Sequence, residues 1–187
     1  MSSVRELGNS QITSNINNTT SDNTSIEDLF KKNQVLLSTG NARKLIYDQD
    51  ERFKITDKYF LVFAMNYLGN CYLYGIGVNK SNEDALYWYK KSAAKYNIEA
   101  TFSLGCLYFE GKGTRKNVKK AIDLWKQTAK FNHKGALYHL GVAYYEGRYV
   151  KRDLELAKSN LKKASEQGIE EATQLLNIIK KEENTKK

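Results

Sequence analysis

The amino-acid sequence predicts an all-α fold made of tandem pairs of helices. Three observations lead to this prediction. The 187 residues include no proline, the residue that most strongly interrupts a helix. The sequence repeats itself at an offset of 36 residues, a length typical of a helix–loop–helix unit. Within each repeat, glycines and helix-capping residues return at the positions where one helix must end and the next must begin.

Size and composition limit the class of protein. A chain of 187 residues with 41% hydrophobic and 27% charged residues suits one soluble globular domain with a tail. No apolar run reaches the roughly 20 residues needed to cross a bilayer, and the first residues lack the apolar stretch of a secretory signal. Two cysteines indicate a reducing compartment, so we expect a cytoplasmic protein. A mitochondrial presequence is the alternative, although Glu6 directly after Arg5 is atypical of one.

The N-terminal third divides into a polar tail and a helical region. Residues 1–24 are rich in Ser, Asn and Thr and have almost no apolar side chains. They cannot bury enough surface to offset the entropy of ordering, so we expect a disordered tail there. Ser25 is suited to cap a helix that Gly40 would end. Residues 25–63 are therefore predicted to form a helical N-terminal capping region.

The repeats form the strongest signal in the chain. A shift of 36 residues aligns three blocks without a gap, 64–99, 100–135 and 136–171. Several positions then hold the same residue in all three blocks. They are Ala64, Ala100 and Ala136; Leu68, Leu104 and Leu140; Gly69, Gly105 and Gly141; Tyr72, Tyr108 and Tyr144; Gly75, Gly111 and Gly147; and Ala85, Ala121 and Ala157. Chance does not produce so many coincidences at one offset, so the blocks are predicted to be stacked structural repeats.

Each block contains the pattern of two helices. The repeated Ala, Leu and Tyr are spaced four apart and form one face of a first helix. The glycine after the leucine would let a neighbouring helix approach closely, and the glycine after the tyrosine would end the first helix. Ser81, Asn117 and Asp153 differ in identity but are all strong N-cap residues, so the second helix is predicted to begin there. Residues 172–187 are predicted as a C-terminal capping helix with a charged end.

A family resemblance is clearest in the second block. The stretch reads ATFSLGCLYFEGKGTRKNVKKAIDLWKQTAK, and it resembles the Sel-1-like repeat, a relative of the tetratricopeptide repeat. The resemblance rests on A-x3-LG-x2-Y-x2-G-x-G followed by a capped second helix, and it covers about residues 64–172. The third block departs from it, because Tyr149 replaces the second loop glycine and Leu161 replaces an aromatic residue. The sequence therefore predicts an all-α right-handed α-solenoid, or superhelix, of tandem helix-loop-helix repeats.

The sequence offers no catalytic, cofactor-binding or metal site. Cys71 and Cys106 are 35 residues apart, hence at different repeat positions, and each is interpreted as a small buried hydrophobic residue. His133 and His139 are the only histidines, and no cysteine or carboxylate accompanies them at metal-ligand spacing. No phosphate-binding loop or nucleophile-elbow motif occurs. We therefore predict a protein that is not an enzyme and takes no cofactor and no metal.

The first helices carry a second set of residues that varies between blocks. In the second and third blocks this set includes four aromatic residues, Phe102, Phe109, Tyr138 and Tyr145. The resemblance implies that the first helices line a concave groove, where this aromatic strip would suit an extended or helical peptide. The alternative is that the four rings pack between adjacent repeats.

Positive charge is concentrated in the middle repeat. The chain has a net charge of +9, and residues 100–135 hold eight Lys or Arg against two acidic residues. Cations at the start of a helix oppose the helix dipole, so helix stability does not explain them. They are interpreted either as a solvated surface or as a site for an acidic partner: a protein patch, an anionic lipid surface or RNA. The five on the loop and the start of the second helix are Lys112, Arg115, Lys116, Lys119 and Lys120.

The resemblance also implies a function. It implies a scaffold or adaptor that binds or activates a partner protein within a larger complex. The expected partner is another protein, through a peptide or an acidic surface. The alternative function is RNA or anionic-surface binding through the basic middle repeat, which would weaken steeply as salt rises.

Overall fold

A computed structural model describes residues 58–185, and this part of the chain contains seven helices and no strand. The predicted tail, 1–24, and nearly all of the predicted capping region, 25–63, lie outside the described residues. The helices, in chain order, are α1 (Lys58–Tyr74), α2 (Asn82–Ala93), α3 (Ile98–Glu110), α4 (Val118–Ala129), α5 (Lys134–Glu146), α6 (Leu154–Glu166) and α7 (Glu170–Asn184).

The helices pack in the order of the sequence. Within the repeats, α1 packs on α2, α3 on α4 and α5 on α6, and each second helix also contacts the first helix of the next repeat. The helix α7 packs on α6 and continues this series. Contacts are therefore made almost entirely between neighbouring elements, which is the packing of a solenoid. The predicted all-α solenoid of helix-loop-helix repeats is confirmed.

The repeated glycines end the first helices, as the sequence predicts. Gly75, Gly111 and Gly147 have φ angles of 72°, 78° and 65°, which lie in the left-handed region. The amide of Gly111 donates to the carbonyl of Leu107, and the amide of Gly147 donates to the carbonyl of Ala143. A side chain is disfavoured in this conformation, so glycine at this position lets the helix end there and the chain turn into the loop.

The second helices begin at the predicted caps. The side-chain oxygens of Ser81, Asn117 and Asp153 accept hydrogen bonds from backbone amides three residues further on, at 3.1, 3.0 and 2.9 Å. Each bond satisfies an amide that has no partner inside the helix. The changing identity of the cap therefore follows from one physical requirement.

A second set of repeated glycines sets the distance between the two helices of each repeat. A Cβ atom added to Gly69 would lie 2.5 Å from Cε1 of Tyr89, and one added to Gly105 would lie 2.7 Å from Nε1 of Trp125. Tyr89 is fully buried and Trp125 nearly so. The glycines thus leave room for a large ring between the two helices. Leu161 occupies the same place against Gly141 in the third repeat.

The C-terminal helix closes the described end of the stack with an apolar core. Ala172 and Ile179 of α7 are buried against residues of α5 and α6. The same cluster includes Leu137, Leu161 and Ala164. Helix α7 begins at Glu170, two residues before the predicted start of the C-terminal segment at 172.

Each turn between repeats contains a residue in the left-handed backbone conformation, which the sequence pattern does not predict. Tyr96 and Asn132 have φ angles of 65° and 58°, and Gly168 has one of 83°. These residues are spaced at the repeat period of 36. The turn therefore needs the same backbone conformation each time, although only the third copy has glycine there.

Candidate partner-binding surfaces

The first residue of the predicted aromatic strip, Phe102, lies between repeats. Its ring centroid is 4.3 Å from that of His133 and 5.7 Å from that of His139. A Cβ atom added to Gly135, at the start of α5, would lie 2.7 Å from the tip of the Phe102 ring. Phe102 nevertheless remains half-buried rather than fully buried. One face of its ring packs on the third repeat, and part of the side chain stays open to solvent.

Phe109 lies near the end of α3 and also reaches the next repeat. Its ring centroid is 5.2 Å from that of Trp125, within its own repeat. It is 5.8 Å from the ring of Tyr149, in the loop of the third repeat, with the two planes nearly perpendicular. The edge-to-face arrangement is a favourable one for aromatic rings. Phe109 therefore connects the loops of the second and third repeats and is half-buried.

Tyr138 and Tyr145 lie against the C-terminal core. Both are half-buried and pack on the cluster formed by α5, α6 and α7. The Tyr145 hydroxyl donates a hydrogen bond of 2.6 Å to Oε1 of Glu182 in α7. This bond to a carboxylate raises the pKa of Tyr145. The four residues of the strip thus all contact the following structural unit, and all keep a partly open surface.

His139 links Phe102, Trp125 and Tyr138 in one aromatic cluster, a role that sequence reasoning missed. Its ring stacks on Trp125 with centroids 4.6 Å apart and planes inclined by 13°. The ring centroids of Phe102, in the second repeat, and Tyr138, in the third, lie 5.7 and 5.6 Å from that of the same imidazole. Burial lowers the pKa of His139, so the imidazole favours the neutral form. The signal available in the sequence was its position, one residue after Tyr138 on an otherwise apolar helix.

Three of the five predicted basic residues are engaged with neighbouring side chains. Lys112 forms an ion pair with Glu110, and Nζ of Lys116 lies 5.4 Å from the centre of the Phe109 ring. Nζ of Lys120 donates a 2.9 Å hydrogen bond to the Tyr108 hydroxyl. These contacts explain part of the positive charge as support for the end of α3 and its loop.

The pKa of the Tyr108 hydroxyl reflects the positive charge around it. Burial raises the pKa of Tyr108, but the hydrogen bond from Lys120 and the charges of Lys120 and Lys90 outweigh burial. The net effect is a lowered pKa. Two cations from successive second helices therefore meet near one phenol.

Arg115 and Lys119 are the free members of the predicted basic set. Both are exposed, and their side chains make no hydrogen bond or ion pair with any residue in the described range. Lys119 lies in the first turn of α4, where the dipole disfavours a cation. The structure offers these two side chains no internal role.

The third repeat contains basic residues that sequence reasoning missed. Arg148, Lys151 and Arg152 stand 36 residues after Lys112, Arg115 and Lys116, and all three are exposed. Summing the charge of the whole block hid them, because the third repeat also holds six acidic residues. Aligning the loops alone reveals three cations in each of the two loops.

Arg152 has the same structural role as Lys116. Its guanidinium carbon lies 5.7 Å from the centre of the Tyr145 ring, and its Nε donates a 2.9 Å hydrogen bond to the Tyr145 carbonyl. That carbonyl is in the last turn of α5, where a positive group complements the helix dipole. This loop position is therefore structural in both repeats.

The thiols give no sign of nucleophilic chemistry. Cys71 and Cys106 are both free. Burial raises the pKa of the Cys71 thiol to about 11 and that of the Cys106 thiol to about 12. Both thiols are therefore protonated at neutral pH, whereas a nucleophilic cysteine needs the thiolate.

Metal-binding and membrane-spanning features are absent from the part of the chain that is described. Between residues 58 and 185, no three or more His, Cys, Asp or Glu side chains are grouped so as to hold a metal ion. None of the described helices is both long enough and apolar enough to cross a bilayer.

The repeats match a known family model. Residues 62–97, 98–130 and 135–169 match the model of the Sel1 repeat, which together is more than half of the chain. The chain belongs to the Sel1 repeat family. The resemblance inferred from the glycine and alanine pattern is thereby confirmed. A comparison with curated proteins gave no match.

Solved Sel1 repeat structures are similar to this one. A Sel1 repeat protein from Oxalobacter formigenes is 26% identical, with a TM-score of 0.67 over 79% of this chain and 59% of that one. A protective antigen of uropathogenic Escherichia coli, c5321, is 25% identical, with a TM-score of 0.60 over 80% of this chain and 35% of that one. This chain thus spans little more than half of the first protein and about a third of the second.

A third solved structure is similar to this chain in its fold only. It is cysteine rich protein B (hcpB) of Helicobacter pylori, 18% identical with a TM-score of 0.51 over 81% of this chain and 98% of that one.

Sel1 repeat proteins are generally protein-interaction scaffolds, and the fold is a non-catalytic repeat scaffold.

Proposed function

We propose that this Sel1 repeat protein is an adaptor that binds or activates a partner protein within a larger complex. The observation that carries the proposal is the row of half-buried rings on α3 and α5. Phe102 and Tyr138 both contact His139, and these two rings, Phe109 and Tyr145 all keep part of their surface open. Rigid aromatic side chains that present area at low entropic cost are typical centres of protein interfaces.

The experiment has to separate binding from packing. Phe102 and Tyr138 are each changed to Ala, and partners are quantified after affinity capture with the wild-type protein and both variants. Each variant is assayed at a temperature where circular dichroism shows it folded, because Phe102 also packs on His133. Tyr87→Ala is the control, since Tyr87 is a more exposed aromatic ring on α2, a helix that carries no residue of the strip.

We expect the strip variants to lose a partner that the control retains. If folded Phe102→Ala and Tyr138→Ala proteins capture the same partners as strongly as the wild type, the strip only packs the repeats together. The scaffold proposal would then need another surface.

The second candidate function is binding of RNA or an anionic surface through the basic middle repeat. It is favoured by Arg115 and Lys119, which are exposed and have no partner among the described residues. A single-stranded RNA is titrated across a salt series to test it. An RNA mode requires the logarithm of affinity to fall with log salt, by roughly 0.7 for each phosphate contacted. A salt-independent affinity would eliminate this candidate.

A further inference from the structure

We propose that the loops joining the two helices of each repeat form one edge that binds an acidic segment of a partner protein, with the apolar end of that segment at the first loop. This edge, called the loop edge below, consists of residues 75–80, 111–116 and 147–152 and the helix ends beside them. The inference rests on the proposed adaptor function and names the chemistry of its partner.

The three loops lie side by side. Gly113, in the second loop, has a φ angle of 65° and sits against the backbone of Asn82, at the start of α2 in the first repeat. The Phe109 ring, beside the second loop, contacts Tyr149 in the third. Each loop thus touches the repeat next to it, and the edge is continuous.

The positive charges on the edge divide into two kinds. Lys116 and Arg152 lie over the rings of Phe109 and Tyr145 and support the ends of α3 and α5. In contrast, Arg115, Lys119 and Lys151 are exposed and make no side-chain hydrogen bond or ion pair within the described residues. These last three side chains are available to an anionic partner at no cost to the fold.

The first loop presents a different chemistry. Tyr74 and Ile76 are 59% and 47% exposed at the end of α1 and in its loop, so two large apolar side chains are open to solvent there. The residues at the matching positions in the second repeat are Glu110 and Lys112, which pair with each other. The first loop has one cation, Lys80, whereas the second and third loops have three each, so the edge changes from mainly apolar at the first loop to basic at the other two.

This gradient favours a polypeptide over a nucleic acid or a lipid surface. A polyphosphate carries negative charge along its whole length and would place charge against Tyr74 and Ile76. It would also meet Glu110 and Glu146, which end α3 and α5 on the same edge. A protein segment can place apolar residues at one end and carboxylates at the other, and so can match both halves.

The test uses defined probes and a charge-matched control. The main probe is a short fluorescein-labelled peptide with a leucine pair followed by a run of glutamates. A second peptide has serines in place of the leucines. Fluorescence anisotropy measures the affinity of both peptides for the wild type and for two variants. One is a triple variant that combines Arg115→Glu, Lys119→Glu and Lys151→Glu, and the other is Ile76→Ser. The control changes three exposed lysines elsewhere, Lys130→Glu, Lys162→Glu and Lys163→Glu.

The expected result has two parts. The triple variant on the loop edge weakens binding of the leucine peptide by about tenfold, since three exposed ion pairs are lost, and the control weakens it by much less. Ile76→Ser weakens binding of the leucine peptide but leaves the serine peptide unchanged. All variants should fold, because the substituted lysines and arginine are exposed and their side chains make no hydrogen bond or ion pair within the described residues, and Ile76 is 47% exposed. Glu at position 119 also suits the helix dipole.

Several results would overturn the inference. Equal affinity of the leucine peptide for the wild type and the triple variant would do so. An equal loss of affinity in the triple variant and in the control would also do so, because it would show that only the net charge of the protein matters. Tighter binding of polyuridine RNA, or of phosphatidylserine vesicles, through the same three cations would assign the edge to the other occupants. If a partner captured through the aromatic strip binds the triple variant as tightly as the wild type, the edge inference fails and the adaptor function stands.

Discussion

Nε2 of His133 lies 3.2 Å from Oε2 of Glu99, which belongs to the preceding repeat. The other imidazole nitrogen, Nδ1, accepts a 3.2 Å hydrogen bond from the Ala136 amide and so caps α5. Because Nδ1 accepts, the proton must be on Nε2, and Nε2 donates to the carboxylate. One side chain thus caps a helix and links it to the repeat before it.

The first prediction concerns Glu99, the carboxylate partner of His133. Burial raises the pKa of Glu99, but the hydrogen bond from His133, the electrostatic interaction with that imidazole and the charge of Lys134 outweigh burial, so the pKa is lowered from 4.5. A lowered carboxyl pKa contributes stability above the ordinary pKa, and this contribution is lost as the pH falls through the folded-state value. Glu99→Gln should therefore lower the free energy of unfolding at neutral pH, and the difference from the wild type should vanish in acid.

The size of this effect is limited by solvent. The Glu99 side chain is 58% exposed, so we expect about 0.5 kcal/mol at neutral pH. Urea denaturation at a series of pH values measures it. Glu83→Gln is the control, because Glu83 occupies the same position in the first turn of α2. A pH-independent difference for Glu99→Gln would contradict the role of its charge.

A second prediction uses His139 at the centre of the aromatic cluster. Burial lowers the pKa of His139, so its contribution is present above the ordinary histidine pKa and is lost as the pH falls through the lowered value. His139→Phe keeps a ring against Trp125 but cannot be protonated. The variant should lose less stability than the wild type between pH values of about 7 and 5. Parallel slopes for the two proteins in that range would contradict the prediction.

What could be predicted from the sequence depends on how local each feature is. The glycine that ends α3 and the Asn117 cap of α4 act within a few residues, so their spacing was enough. The place of His139 between Phe102 and Trp125 depends on how α5 packs on the previous repeat, which spacing alone does not give. The cations of the third loop were visible in the sequence, but only when loops rather than whole repeats were compared.

A third prediction concerns the left-handed residue between repeats. Tyr96 has a φ angle of 65° and is 93% exposed, so its ring gains nothing from packing that would offset the backbone strain. Tyr96→Gly should raise the free energy of unfolding by about 0.5 to 1 kcal/mol, because the gain in backbone energy exceeds the entropy glycine adds to the unfolded chain. Thermal and urea denaturation both measure this change.

The converse substitution checks the cause. A Cβ atom added to Gly168, at the same position two repeats after Tyr96, would have no heavy atom within 4 Å. Gly168→Ala therefore tests the backbone alone and should destabilise the protein by about 1 kcal/mol. If both variants are as stable as the wild type, the turns tolerate either residue and strain is unimportant there.

The last prediction contrasts two glycines that face aromatic rings at the same distance. A Cβ atom on Gly105 or on Gly135 would lie 2.7 Å from a ring atom, of Trp125 in the first case and Phe102 in the second. Trp125 is 2% exposed and held between α3 and α4, whereas Phe102 is only half-buried. Gly105→Ala should lower the free energy of unfolding by about 1 to 2 kcal/mol, because overpacking outweighs the better helix propensity of alanine. Gly135→Ala should cost less than about 0.5 kcal/mol, since a partly exposed ring can yield. Urea denaturation of the two variants decides the matter, and equal costs would mean that the glycine does not set the spacing of the helices.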